Sequence, residues 1–319
     1  MPRVTVIVAA YNAADTIEAT LASVFAQRYD DWQVVVGDDC STDATADLAA
    51  AFGERVRVVR SPVNAGTPAA TRTMALGHAT SELIAFLDGD DLWEPDYLET
   101  MVAALDARRG EDPRVAAVAC DALLLLPDGT LSQKTYMDVA GGWPAGDVGV
   151  EELLSRNPVY ASALLRRAVL DEVGGLDAGL PGTDDHDLWL RIAEHGHRIH
   201  HVRRTLARYR LRDSSLSADR GAMATAGAAV FRRALERGRL DPAQRRRARR
   251  AIRVQQAMGR CEALAAEYRR SRRPPVVLAV RSLPLLTLAA LENASRLVAA
   301  ARWLARGRRP YGPAETPRP

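Results

Sequence analysis

At 319 residues, with 47% hydrophobic and 26% charged residues, the chain has room for one large domain or a domain with an appendage, and its apolar share is ordinary for a globular protein. The net charge of +3 at pH 7 conceals an asymmetry, because acids dominate the loops of the first part while arginine accumulates after about residue 231. Three scattered cysteines, Cys40, Cys120 and Cys261, lack Cys-x-x-Cys spacing, so neither a disulfide framework nor a cysteine zinc site is expected, and a reducing cytosol fits best.

Met1-Pro2-Arg3 runs straight into a strand pattern, so no signal peptide is expected and the protein is expected in the cytoplasm. A buried strand is predicted over residues 4–9. Residues 15–26 then carry Ile17, Leu21, Val24 and Phe25 at helical spacing. A strand ending at Asp38, a helix over 43–52, a strand over 56–60, a helix over 68–77 and a strand ending at Asp88 follow. Glu94-Pro95-Asp96 is read as opening a further helix with proline in its first turn. This alternation predicts an α/β fold, a mostly parallel sheet flanked by helices.

A strand over 115–119 precedes an irregular region around Gly141-Gly142-Trp143-Pro144, read as a loop. Order is predicted to return at 151–155, in a strand near 160–165, in a helix over 185–194, and in two short strands at 198–202 and 206–211. From about Asp219 the pattern is helical and basic, peaking at Arg245-Arg246-Arg247-Ala248-Arg249-Arg250. A solvated helix face is the plainest account of that run. It lacks interleaved aromatics, which argues against nucleic acid, and attraction to an anionic membrane surface is the sharper alternative. Residues 275–304 mix Leu, Val and Ala with Arg281, Glu292, Arg296 and Arg302, leaving an uncharged run of about ten residues against the ~20 needed to span a bilayer.

The chemistry concentrates in Phe86-Leu87-Asp88-Gly89-Asp90-Asp91, where an apolar strand ends in three carboxylates around one glycine. Adjacent carboxylates repel and resist desolvation unless a cation joins them, and oxygen donors of this kind suit Mg2+ or Mn2+ shared with substrate phosphates. A second acidic pair, Asp38-Asp39, ends another strand ahead of Ser41-Thr42-Asp43, read as a helix start. Strand carboxyl ends line the ligand crevice in open α/β sheets.

Val6-Ile7-Val8-Ala9-Ala10-Tyr11-Asn12, Val36-Gly37-Asp38-Asp39, Asn64-Ala65-Gly66 with Arg72, and Asp88-Gly89-Asp90-Asp91 occur in the order and spacing of glycosyltransferase family 2. Over residues 4–217 the chain resembles an inverting glycosyltransferase of the GT-A fold, Rossmann-like, with a C-terminal α-helical extension outside the resemblance. The implied organisation is a catalytic domain over 1–217, comprising a nucleotide-sugar-binding half (1–120) and an acceptor-binding half with the catalytic base (121–217), followed by a basic helical extension over 218–319.

The resemblance implies that Ala9, Tyr11 and Asp39 hold the nucleoside, that Arg72 faces the diphosphate or base, that Asp88 lies near the ribose or metal, and that Asp90 is the direct metal ligand. A surface arginine is the alternative for Arg72. Asp91 is read as a cap on the segment leading to Trp93. Thr183-Asp184-Asp185-His186-Asp187 resembles the family segment that carries the base, so Asp185 is expected to act, with Asp184 beside it; helix capping is the plainer account. His186 is read as packing and Asp187 as pointing elsewhere. After Tyr209-Arg210, where the family often has a histidine, this chain has Arg212, which cannot ligate a metal but can clamp phosphate oxygens or face solvent.

The expected activity is metal-dependent transfer of a sugar from a nucleoside-diphosphate sugar, a UDP-sugar first, to a hydroxyl of a glycan or lipid-linked acceptor in cell-envelope or exopolysaccharide synthesis. Peripheral contact at the inner face of the plasma membrane is expected through the basic helices, and no nucleic acid. A catalytically degenerate nucleotide-sugar-binding or interaction protein of the same fold is the alternative. A receiver domain is disfavoured because Lys134, the sole lysine, stands outside any late strand.

Overall fold

In the computed structural model the described residues are 1–271 apart from Pro181, Asp213 and Ser214, with side chains described to residue 267. Two units are distinguished, Met1–Arg212 and Asp213–Pro319.

In the first unit, β1 (Val4–Ala10), α1 (Ile17–Phe25), β2 (Trp32–Asp38), α2 (Thr45–Ala50), β3 (Val56–Arg60), α3 (Pro68–Leu76) and β4 (Leu83–Asp88) alternate as the apolar runs predict. Next come β5 (Leu92–Trp93), α4 (Tyr97–Glu111), β6 (Val115–Leu125), β7 (Leu131–Thr135), α5 (Tyr136–Ala140), α6 (Val150–Leu153), β8 (Leu164–Arg166), α7 (Arg167–Glu172), α8 (Asp184–Glu194) and β9 (Arg198–Arg210). The strands form one mixed sheet in the order β3-β2-β1-β4-β8-β6-β9-β5, with β7 added to β6. Its longest ladders, β1 with β2, β1 with β4, β2 with β3 and β6 with β9, are parallel. The chain is thus an α/β protein with a mostly parallel sheet and C-terminal helices, as predicted.

The central strands are apolar on both faces because helices cover both, and Val4, Val6, Ile7, Val8, Leu83, Ile84 and Ala85 are fully buried. Gly37 lets α3 lie close to β2: a Cβ there would stand 2.7 Å from the Thr71 carbonyl oxygen.

Several boundaries differ from the sequence reading. Pro95 precedes α4, with Asp96 as its N-cap residue, because the Glu94 and Pro95 carbonyls accept from Gln27 and Arg28. The strand expected near 160–165 is only β8, since Tyr160 and Ser162 are spent on side-chain contacts. Ser162 Oγ accepts from Trp93 Nε1 at 2.7 Å and donates to the Phe86 carbonyl at 2.9 Å, next to the stacked Trp93 and Tyr97 rings. The two short strands at 198–211 are one strand, β9, whose exposed Arg203 and Arg204 disguise its continuity. Likewise β6 runs on past Ala119 because buried Asp121 is satisfied by the Ala122 and Met137 amides.

The second unit contains a 3-10 turn at Leu216–Ala218 and the helices α9 (Arg220–Arg237) and α10 (Pro242–Ser271), bearing out the helical reading. Ala224, Gly227, Ala228, Phe231 and Ala234 of α9 are buried, while Arg246 and Arg249 in the basic run are exposed. Among the described residues no helix is long and apolar enough to cross a membrane. The reading of 275–304 lies outside the described residues.

Candidate active site

Three parallel strands deliver the first-half motifs to one sheet edge. In register, Ala10 lies opposite Asp38 and Ala9 opposite Asp88. The Asp39 amide donates to the Ala10 carbonyl (2.9 Å) and the Gly89 amide to the Ala9 carbonyl (3.0 Å), so both acidic turns are stitched to the end of β1. Gly89 suits this close approach, since a Cβ would stand 3.0 Å from the Ala9 oxygen and β1 would have to give by a few tenths of an ångström.

The β1 and β2 turns are also cross-linked. Asn12 and Cys40 adopt left-handed φ values of 46° and 61°. The Asn12 amide donates to Ser41 Oγ (2.9 Å), and Asn12 Oδ1 accepts from the Thr42 amide (2.9 Å). Asp43 accepts from Ala14 and Thr45, so Ser41 and Asp43 serve the β1 turn and α2 starts only at Thr45. Tyr11 is half exposed beside this edge. Buried Asp39 accepts from the Ala65 amide at 2.8 Å and the Gly66 amide at 3.1 Å, ordering the turn before α3. Each oxygen keeps a second lone pair for a ligand.

Arg72 is buried rather than on the surface. Its Nη1 donates to Asp184 Oδ2 at 2.8 Å and its Nη2 to Asp88 Oδ1, with Phe86 under the guanidinium. One fork thus joins the end of β4 to the first turn of α8, and brings the two acidic motifs together. Burial pushes the Asp184 carboxyl above its ordinary value while Arg72 pulls it back.

Burial, and next the Asp184 charge, raise Asp185 to about 7. Asp185 Oδ2 accepts from Asn157 Nδ2 at 3.1 Å. His186 Nε2 meets the Leu153 carbonyl at 2.8 Å, a packing contact, and Asp187 pairs with Arg191.

On the other side, burial and then the Asp88 charge raise Asp90 to about 6. Arg212 Nε lies 3.4 Å from Asp90 Oδ2, while its Nη2 reaches Asp15 and Thr16 Oγ1 at 3.1 Å. It therefore does not simply face solvent. Asp91 does not cap the Trp93 segment either. It is buried, accepts from Tyr160 Oη and from the Arg210 amide (2.8 Å), and is pushed well up by burial and then by the Asp90 and Asp88 charges.

Among the described residues no three His, Cys, Asp or Glu side chains converge to hold a metal ion. Asp88 and Asp90 are nevertheless hard oxygen donors, and a cation would offset the burial and the Asp88 charge that together raise the proton affinity of Asp90. The pair fits a divalent ion whose remaining ligands come from a diphosphate and water. Asn157, Tyr160 and Arg210 were not identified from sequence. Asn157 before Pro158 looks like an ordinary turn, and no motif marks it.

Residues 5–120 match the family model Glycosyl transferase family 2. The succinoglycan biosynthesis protein ExoO of Rhizobium meliloti is 45% identical over 108 residues, 34% of this chain and 31% of that relative, so the alignment spans about a third of each. The UDP-Glc:alpha-D-GlcNAc-diphosphoundecaprenol beta-1,3-glucosyltransferase WfaP of Escherichia coli is 25% identical over 231 residues, 69% of this chain and 82% of the relative. Among solved structures, the mannosyltransferase PcManGT of Pyrobaculum calidifontis, in complex with GDP-Man and Mn2+, is similar with a TM-score of 0.61 and 25% identity, covering 97% of this chain and 88% of that one.

Proposed function

Because this chain belongs to glycosyl transferase family 2, we propose that it is an inverting glycosyltransferase that moves one sugar from a nucleoside-diphosphate donor, a UDP-sugar first, to a hydroxyl of a glycan or lipid-linked acceptor. The observation that carries this reading is the Arg72 fork between Asp88 and Asp184, which links a diphosphate-type acidic turn to a second acidic pair with a carboxyl poised near neutrality.

In the proposed reaction Asp185 takes the proton of the acceptor hydroxyl, whose oxygen bonds to the anomeric carbon. The bond from that carbon to the diphosphate oxygen breaks, and its electron pair leaves with the nucleoside diphosphate. Attack opposite the leaving group inverts the anomeric centre. Asp39 and the β1 turn hold the base, and Arg212 meets phosphate oxygens. Asp88 and Asp90 would hold Mg2+ or Mn2+, which when bound neutralises charge on the departing diphosphate.

The purified chain would be offered a panel of UDP- and GDP-sugars with lipid-diphosphate-linked acceptors, with Mn2+ or with chelator, and the product anomer read by NMR. Product with inverted configuration that chelation suppresses supports the proposal. Tight nucleotide-sugar binding with no transfer from any donor would favour the degenerate binder instead.

We further propose peripheral work at the inner face of the plasma membrane. Residues 213–319 hold 23 of the 43 Lys and Arg but only 8 of the 40 acids. Exposed Arg246, Arg249, Arg253 and Arg260 share one face of α10. Co-sedimentation with phosphatidylglycerol vesicles should fall steeply with salt; a chain that ignores such vesicles at low salt would refute this.

A further inference from the structure

Asp184 and Asp185 are neighbours in the first turn of α8, yet they are held by different kinds of partner. Asp184 takes a cation, Arg72, and Asp185 takes a neutral amide, Asn157. The distinction matters chemically. A guanidinium bonded to a carboxylate favours its ionised form and offsets part of the proton affinity that burial adds. A neutral donor orients a carboxylate with one hydrogen bond and leaves it able to take a proton.

The Asn157 side chain is itself fixed. Its Oδ1 accepts from the Val159 amide at 3.1 Å, which assigns the other end of the amide, Nδ2, as the group directed at Asp185. Its main-chain carbonyl accepts from Tyr136 Oη at 3.2 Å. The preceding Arg156 is anchored as well, through Glu152 at 2.6 Å and the carbonyl of Ala140 at 2.9 Å. The segment behind the amide is thus tied to α6 and to α5 and its C-terminal loop, so Asn157 offers a rigid donor to a side chain whose backbone is set by α8.

We propose that Asn157 is a positioning residue, whose side-chain amide holds the Asp185 carboxylate in the orientation that receives the acceptor hydroxyl proton. This rests on the reading of Asp185 as the base. The charged and titratable groups facing Asp185 are Asp184 on its own helix, Arg72 from α3 and Tyr136 from α5. Tyr136 reaches only the main-chain carbonyl of Asn157, which a side-chain substitution retains, so a shift in the titration of Asp185 reports the amide.

The test is the pH dependence of kcat for the full chain with a turning-over donor and acceptor. In the wild type the rate should rise through about pH 7 as Asp185 ionises. Asn157→Ala removes a donor to the ionised form, so the rising limb should move about one unit to higher pH and kcat at neutral pH should fall about fivefold. Donor KM should stay within about twofold. Asn157→Ser keeps a side-chain oxygen that can accept from the Val159 amide, is too short to reach Asp185 and adds no charge; it should melt near the wild-type temperature and still show the displaced limb. It carries the test alone if Asn157→Ala does not fold. Limbs unmoved in both variants would overturn the proposal. Asp185→Asn separates the two levels. If it retains wild-type turnover and limb, the base lies elsewhere and the proposal falls with that reading. If it is inactive while the Asn157 variants keep the wild-type profile, only the role of Asn157 is lost.

Discussion

Replacing Arg72 by methionine leaves a side chain of similar reach in α3 but strips the counter-charge from two carboxylates. The Asp184 side chain is 4% exposed and that of Asp88 32%, so water screens the second arm but not the first. Breaking a buried ion pair from one side costs about 3–5 kcal/mol, and the exposure of Asp88 argues for the lower end, about 3 kcal/mol. In a unit of this size that is a fall in Tm of roughly 6–12 °C. The pH dependence has a definite sign. Asp184 already binds its proton more tightly than in the unfolded chain, and losing Arg72 raises it further. A group with a raised folded pKa contributes its stability below the unfolded value and loses it as pH climbs through the folded one, so the deficit should widen from pH 5 to pH 8. Urea melts followed by tryptophan fluorescence would measure it. Arg72→Met combined with Asp184→Asn should recover half or more of the loss at pH 7.5. A single-variant loss under about 1 kcal/mol, or no recovery in the double variant, would refute the reasoning.

Asp39→Ala frees the Ala65 and Gly66 amides and should weaken UDP binding about tenfold or more by calorimetry, while unchanged affinity would remove Asp39 from the nucleotide site. Gly37→Ala drives a methyl group against the Thr71 carbonyl and should cost about 1–3 kcal/mol in chemical denaturation, together with weaker donor binding as α3 shifts; a neutral effect would mean that α3 yields freely. Asp90→Asn should lower Mn2+ affinity about tenfold or more by electron paramagnetic resonance titration in the presence of UDP, and equal affinity would reassign the ligand.

The first half of the fold was readable because β1, β2 and β4 are mainly apolar runs, and the latter two end in acids, a contrast that also marks Asp39, Asp88 and Asp90. Legibility fails where polar residues sit inside elements. Asp121 interrupts β6 and Arg203-Arg204 interrupt β9, yet each strand continues because pairing partners, not composition, decide it. In the site, Arg72 was expected to face a ligand, and its bond to Asp184, 112 positions away, has no local signature. Asn157 and Tyr160 are hidden for the same reason, since their significance lies in what the packing of α5, α8 and β9 places opposite them.

The two ends of the sheet order bear on how this protein behaves at high concentration. At one end β3 displays exposed Arg57 and Arg60, and at the other β5 is two residues long. A neighbouring molecule that tried to extend the sheet would meet guanidinium charge at one border and too short a ladder at the other. Stacking of intact molecules through these two borders is therefore disfavoured, and β7, added on β6 with Leu131 exposed, is the border left open to a neighbouring strand.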